Sequence, residues 1–329
     1  MKTYTILRNE TSGLCNVSKS DTTKMAVIDE FINDSILTIC NLQGGKLRFL
    51  EATKDMVTVA DQEAYQIPAK FRKLIDMYIY SGSTGGNTET IYSPQMVFDP
   101  TKWKSIKQAR LGFSTIPYFT YVESQKFLIN PIPSVSGNKI TLRGRINIPK
   151  IAIADYSEGT ITSIANEGTA LVGSGTTWTA DMIGRYVNIP QTTAAKGGDG
   201  LWYEIGAYIS ATALTLLKPY EGTAIATGTA TYTIGQVPVI PEAYQPAIEY
   251  RAVALYWQNQ NDLARSKTYW MMYDGGNEAG LNNNYGGLIS QMLANEGETE
   301  EGAYIPPFGS VSNLLSAPYY FPWDQASGF

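Results

Sequence analysis

From Asp21 to Asn41 the apolar residues Met25, Ile28, Ile32, Ile36 and Ile39 recur at steps of three and four. That spacing puts them on one face of a helix and predicts that the face lies on a core. Asp21 or Thr22 offers the capping side chain, and Asn41 with Gly44-Gly45 supplies the stop. Short runs rich in β-branched and aromatic residues follow, at Lys46–Leu50, Met56–Val59, Ala64–Ile67 and Leu74–Tyr80. Turn formers separate them, and they predict a small antiparallel sheet. Ser81 to Asn87 is a loop by composition. A short helix is expected over Pro100–Arg110, then strands over Tyr118–Val122, Lys126–Asn130 and Lys139–Ile148.

Between about Asp155 and Ile234 the helical period disappears, charges become sparse, and Thr, Ala and Gly dominate. Six strand candidates fall here: Gly159–Ile164, Ala170–Gly173, Tyr186–Ile189, Trp202–Ile209, Ala213–Leu217 and Thr229–Ile234. Their spacing suits a small sandwich or barrel. Helical periodicity returns over Glu242–Gln258 and Asn261–Tyr273, a pair whose short connection predicts antiparallel neighbours. From about Gly275 the chain reads as loop-rich, through Asn282-Asn283-Asn284 and the acidic run Glu296–Glu301. The expected fold class is therefore α+β. A discontinuous helical parent domain with β-strands (1–154 and 236–295) carries an inserted all-β domain (155–235) and ends in an extended arm (296–329).

Composition narrows the function. The chain has 329 residues and no histidine, which removes every mechanism built on a Ser-His or Cys-His pair or on a histidine-bound metal. A formal net charge of -5 with 17% charged residues gives no broad positive field for non-specific nucleic-acid binding. Cys15 and Cys40 make neither a disulfide framework nor a metal-ligand spacing and are expected to be reduced thiols. No segment has the apolar length to span a bilayer and the start lacks a signal-peptide pattern, so a soluble protein is expected. No cofactor or metal site is expected. The 22 tyrosines favour contact surfaces, because tyrosine covers apolar area and still offers a hydroxyl.

Several constellations invite chemistry and are better read as structure. Asp29-Glu30 with Asp34, and Glu296, Glu298, Glu300 and Glu301, would need facing walls of a cleft to act as a glycosidase pair; a solvated helix face or tail accounts for them. Lys102, Lys104, Lys107 and Arg110 surround Trp103, and Arg143 and Arg145 share one strand face. These could meet DNA or an acidic partner ring, but an ordinary charged surface is the favoured reading. Gly173-Ser174-Gly175-Thr176-Thr177 and Gly197-Gly198-Asp199-Gly200 lack the Gly-Lys-Ser/Thr ending of a phosphate cradle and read as turns.

The arm differs from these. Tyr304, Phe308, Tyr319, Tyr320, Phe321, Trp323 and Phe329, spaced by Pro306, Pro307, Pro318 and Pro322, cannot form a helix and are too apolar to be left in water. The arm is the candidate assembly interface, docking on a neighbour or back on its own domain.

The order of the helical part, with Tyr65-Gln66-Ile67-Pro68-Ala69-Lys70-Phe71, Phe127-Leu128-Ile129-Asn130-Pro131-Ile132-Pro133, Ala247-Ile248-Glu249-Tyr250 and Asp262-Leu263-Ala264-Arg265, resembles the head-to-tail connector adaptors of tailed phages. The insert resembles a small β domain of phage structural proteins through Glu158-Gly159-Thr160, Gly173 to Trp178, Gly184-Arg185-Tyr186 and Trp202-Tyr203-Glu204-Ile205. The resemblance implies a non-enzymatic virion protein of the neck, assembled in the host cytoplasm. It also implies a homo-oligomeric ring, commonly of twelve, between the portal protein and the next tail component, a nozzle or tube. Double-stranded DNA would pass through without sequence-specific binding, and no membrane is involved. The alternative is a tail or surface component whose β domain binds host glycan through Trp178, Trp202 and Tyr203, although Trp178 suits a core plug and Trp202 and Tyr203 alternate in face.

Overall fold

The computed structural model describes residues 1–81, 90–108, 117–123, 125–191, 198–226, 229–276 and 286–296. Within them lie six α-helices: α1 (Tyr4–Leu14), α2 (Thr22–Asn41), α3 (Pro100–Gln108), α4 (Pro246–Asn259), α5 (Leu263–Asp274) and α6 (Leu288–Glu296). Helices and sheets occur together, and the fold class is α+β. The chain falls into two compact units, one of residues 50–147 and one of residues 1–49 with 148–296.

The helices start where side chains meet their free amides. Thr3 accepts from the amide of Ile6, Asp21 from Lys24 and Asp262 from Arg265, and Pro246 opens α4. The α2 stripe predicted above is buried at every position, and α4 packs against α1, α2 and α5. With Ala247, Ile248, Ala252, Val253, Ala254 and Tyr256 all buried, α4 is the central helix. Two helices depart from the sequence reading. Residues 4–14 are helical although their buried side includes Thr11 and Ser12 beside Tyr4 and Leu7, which blurs the apolar period. The expected loop after Gly275 contains α6, held by buried Ile289 and Met292 and by Asn295, whose amide donates to the Tyr244 hydroxyl at 2.7 Å.

The unit of residues 50–147 holds two four-stranded sheets. Its strands are β1 (Glu51–Val57), β2 (Ala64–Gln66), β3 (Phe71–Ser81), β4 (Thr90–Tyr92), β5 (Gln95–Val97), β6 (Phe119–Val122), β7 (Lys126–Asn130) and β8 (Lys139–Ile146). The sheet orders are β1-β8-β3-β4 and β2-β7-β6-β5, antiparallel except for β5 beside β6. One core joins them, including Tyr65, Met77, Phe127, Ile140 and Leu142, with the Tyr65 and Phe127 rings stacked at 5.5 Å. The expected strand over Lys46–Leu50 is instead a 3₁₀ turn at Arg48–Leu50. Leu47 and Leu50 are both buried, and a spacing of three suits that turn, whereas alternate faces of a strand would separate them.

Residues 156–235 form a six-stranded sheet from β9 (Thr160–Ser163), β10 (Ala170–Ser174), β11 (Tyr186–Asn188), β12 (Trp202–Ser210), β13 (Ala213–Leu216) and β14 (Thr233–Gly235). The order is β14-β11-β12-β13-β10-β9, and bridges Tyr156 to Ile234, Ile161 to Ala230 and Ile164 to Ile225 tie its two edges together. The module therefore curls into a small barrel around its own core, which includes Trp178, Ile205, Tyr220 and Ile234. Its entry and exit are stitched to α1. Thr3 donates to Asp155 at 2.6 Å, the Asp155 amide to Thr5 at 2.9 Å, and the Tyr4 amide to the Gln236 carbonyl at 2.8 Å.

Candidate assembly surfaces

Along α2, a flank that reaches Ile36 of the buried stripe borders a groove of about 410 Å³. Asp29, Glu30, Asn33, Asp34 and Leu37 form one wall and Ile148, Pro149 and Lys150 the other. Asn33 fixes the second wall: its amide donates to the Ile151 carbonyl and its carbonyl accepts from the Ile151 amide, both at 2.9 Å. Of the carboxylates that sequence alone could not place, Asp29 and Asp34 are tied to cations. Asp29 meets Arg8 at 2.7 Å and Asp34 meets Arg251 at 2.6 Å, so each has a structural counter-ion. Glu30 lies exposed on the rim, and Leu37 is 48% exposed beside it.

In the other unit, Trp103 is buried and stacks on Tyr121, with ring centroids 5.6 Å apart. The aromatic at the centre of the basic patch is thus an anchor, which turns Lys102, Lys104 and Lys107 outward. Lys107 pairs with Glu63 at 2.6 Å; Arg110 lies outside the described residues. Immediately before α3, Phe98 is 64% exposed. Arg143 and Arg145 do share a face, the one opposite buried Ile140 and Leu142; Arg143 pairs with Glu51, and Arg145 is itself buried.

A third cluster was not legible in the sequence. Lys2 meets buried Glu249 at 2.7 Å and also pairs with Glu10, while its backbone amide donates to Gln245. Burial pushes the Glu249 carboxyl up to about 7, with the Lys2 ammonium pulling the other way. Only the tertiary fold brings Lys2 to α4.

Trp178, Trp202 and Tyr203 are not exposed together on one face. Trp178 is 1% exposed and donates its indole N–H to Tyr232 at 2.9 Å, while Tyr203 is buried against Tyr220 and Trp202 is half-buried. The Gly173 stretch is not a turn throughout: Gly173 and Ser174 close β10 and the chain bends at Gly175, and a Cβ at Gly173 would come 2.7 Å from the Trp178 ring. Cys15 and Cys40 are buried and not disulfide-bonded. The proposed interface residues Tyr304, Pro306, Pro307, Phe308, Tyr319, Tyr320, Phe321, Trp323 and Phe329 lie outside the described residues, as do most of the acidic run, Gly197, and the loop over 82–87.

Residues 2–172 match the family model described as SU10 adaptor protein, which spans α1, α2, the whole unit of residues 50–147 and the first strands of the barrel. The chain belongs to the SU10 adaptor protein family. No curated protein matches it. As an SU10 adaptor it is a phage structural protein and a component of the virion, which bears out the resemblance to phage adaptors at the level of the family. No helix among the described residues of this SU10 adaptor is long and apolar enough to cross a membrane.

Proposed function

We propose that this chain is a head-to-tail adaptor. It forms a homo-oligomeric ring between the portal and the next tail component, around the DNA path, and has no catalytic role. The observation that carries the reading is the adaptor family match over residues 2–172. Two features of the sequence support it. The absence of histidine removes the usual neutral-pH base, and the net charge of -5 suits a part past which DNA slides without being held. Residues 155–235 are in this reading an inserted domain, supported by a core drawn wholly from residues 156–234. The arm, expected over 296–329 and following α6, is assigned as the segment that reaches a partner, because its prolines oppose a helix and its aromatics would gain from cover.

Negative-stain imaging of the purified chain, alone and mixed with its portal, tests the reading. Rings of a fixed subunit number that cap the portal are expected, and the same preparations should clear no peptidoglycan in a zymogram. A chain that stays monomeric in both conditions, or that clears peptidoglycan, overturns it.

A further inference from the structure

Two features on different units of the chain complement one another. Phe98 is the most exposed aromatic among the described residues, at 64%. It stands next to α3, where Lys102 and Lys104 have no ion-pair partner among those residues. The α2 groove offers the reverse: apolar wall from Leu37 and Pro149, and a rim where Glu30 is exposed and likewise without a partner among the described residues, with Lys150 across from it. A buried phenyl ring strengthens an association by about tenfold or more, and opposite charges at the rim set its orientation.

We propose that the Phe98–Lys104 edge of one copy docks in the α2 groove of a second copy, Phe98 entering between Leu37 and Pro149 and Lys102 and Lys104 facing Glu30. Knob and groove are different patches of the same chain, so the contact is head-to-tail: the copy that gives its knob keeps a free groove, and the copy that receives it keeps a free knob. Such a heterologous contact propagates and closes into a ring when the rotation allows. The proposal rests on the ring reading above and names the surfaces that make it.

Sedimentation of the full-length chain over a range of concentrations reads the contact. Phe98→Asp, or Lys102→Glu with Lys104→Glu, should raise the concentration needed for assembly about tenfold or more. Adding Glu30→Lys to the lysine reversals should restore it. Under mild oxidation, chains carrying both Phe98→Cys and Leu37→Cys should give a ladder of covalent multimers, and a mixture of the two single variants should give dimers. The docking assignment falls if the charge-reversed chain assembles like the parent, or if the double-cysteine chain crosslinks within itself. If the unaltered chain never assembles, alone or with its portal, the ring reading falls and takes the docking with it.

Discussion

Glu249 is a carboxyl at the buried surface of α4 whose ionisation is opposed by its surroundings and supported by one ammonium. Because its folded-state pKa is raised from 4.5 to about 7, the folded state binds its proton more tightly than the unfolded chain does. The stability it contributes is therefore fully present below about pH 4.5 and is lost as the pH rises through about 7. The neighbouring Glu10, held below its ordinary value by Lys2, works with the opposite sign, and so the two must be separated by substitution. Glu249→Gln should remove the Glu249 contribution, of the order of 3 kcal/mol at most. In thermal melts the difference between parent and variant should shift in the parent's favour as the pH falls from 7 towards 4.5. A difference that stays constant across that window would assign the site another role. Nothing near Glu249 in the sequence announces this chemistry, because its partner Lys2 stands 247 positions away.

Elements with a strong local period were legible, and those stabilised from outside were not. The α2 stripe, the barrel strands and the paired helices α4 and α5 could be read because each repeats one spacing over several turns or alternations. By contrast, α1 turns Thr11 and Ser12 inward, and α6 buries only Ile289 and Met292, so tertiary contacts decide both. The groove could not be read either, since its second wall comes from residues 148–150, far from α2 in sequence. Trp178 is the case where local reasoning sufficed. Its position ahead of the short 3₁₀ turn Ala180–Met182 marks a core plug, and it is 1% exposed with its N–H satisfied by Tyr232. Trp178→Ala should cost about 3–5 kcal/mol through the cavity it leaves, read as a lowered denaturation midpoint. An unchanged midpoint combined with lost sugar binding would instead restore the glycan reading.

At the scale of the whole molecule, the arm is the segment to which we assign assembly, and it lies outside the described residues. Among the described residues the barrel core ends at Ile234, the core of the two sheets lies within residues 52–146, and the last buried apolar side chain of the helices is Met292 in α6. Tyr304, Phe308, Tyr319, Tyr320, Phe321, Trp323 and Phe329 would each gain roughly 1.5–3 kcal/mol from full burial. The prolines among them oppose a helix, and in the proposed reading they form an extended segment lying in a groove. If that groove belongs to the portal or to a neighbouring copy, the arm adds to assembly and nothing to the stability of the single chain. Truncation after Glu301, which keeps α6 and its bond to Tyr244, should then leave the melting temperature of the monomer unchanged and abolish stable portal binding and ring closure. Calorimetry and sedimentation on the same truncated chain measure the two quantities separately. A truncated chain that melts lower yet still assembles normally would place the arm in the chain's own core, because only intramolecular docking couples the aromatics to stability and leaves the partners untouched.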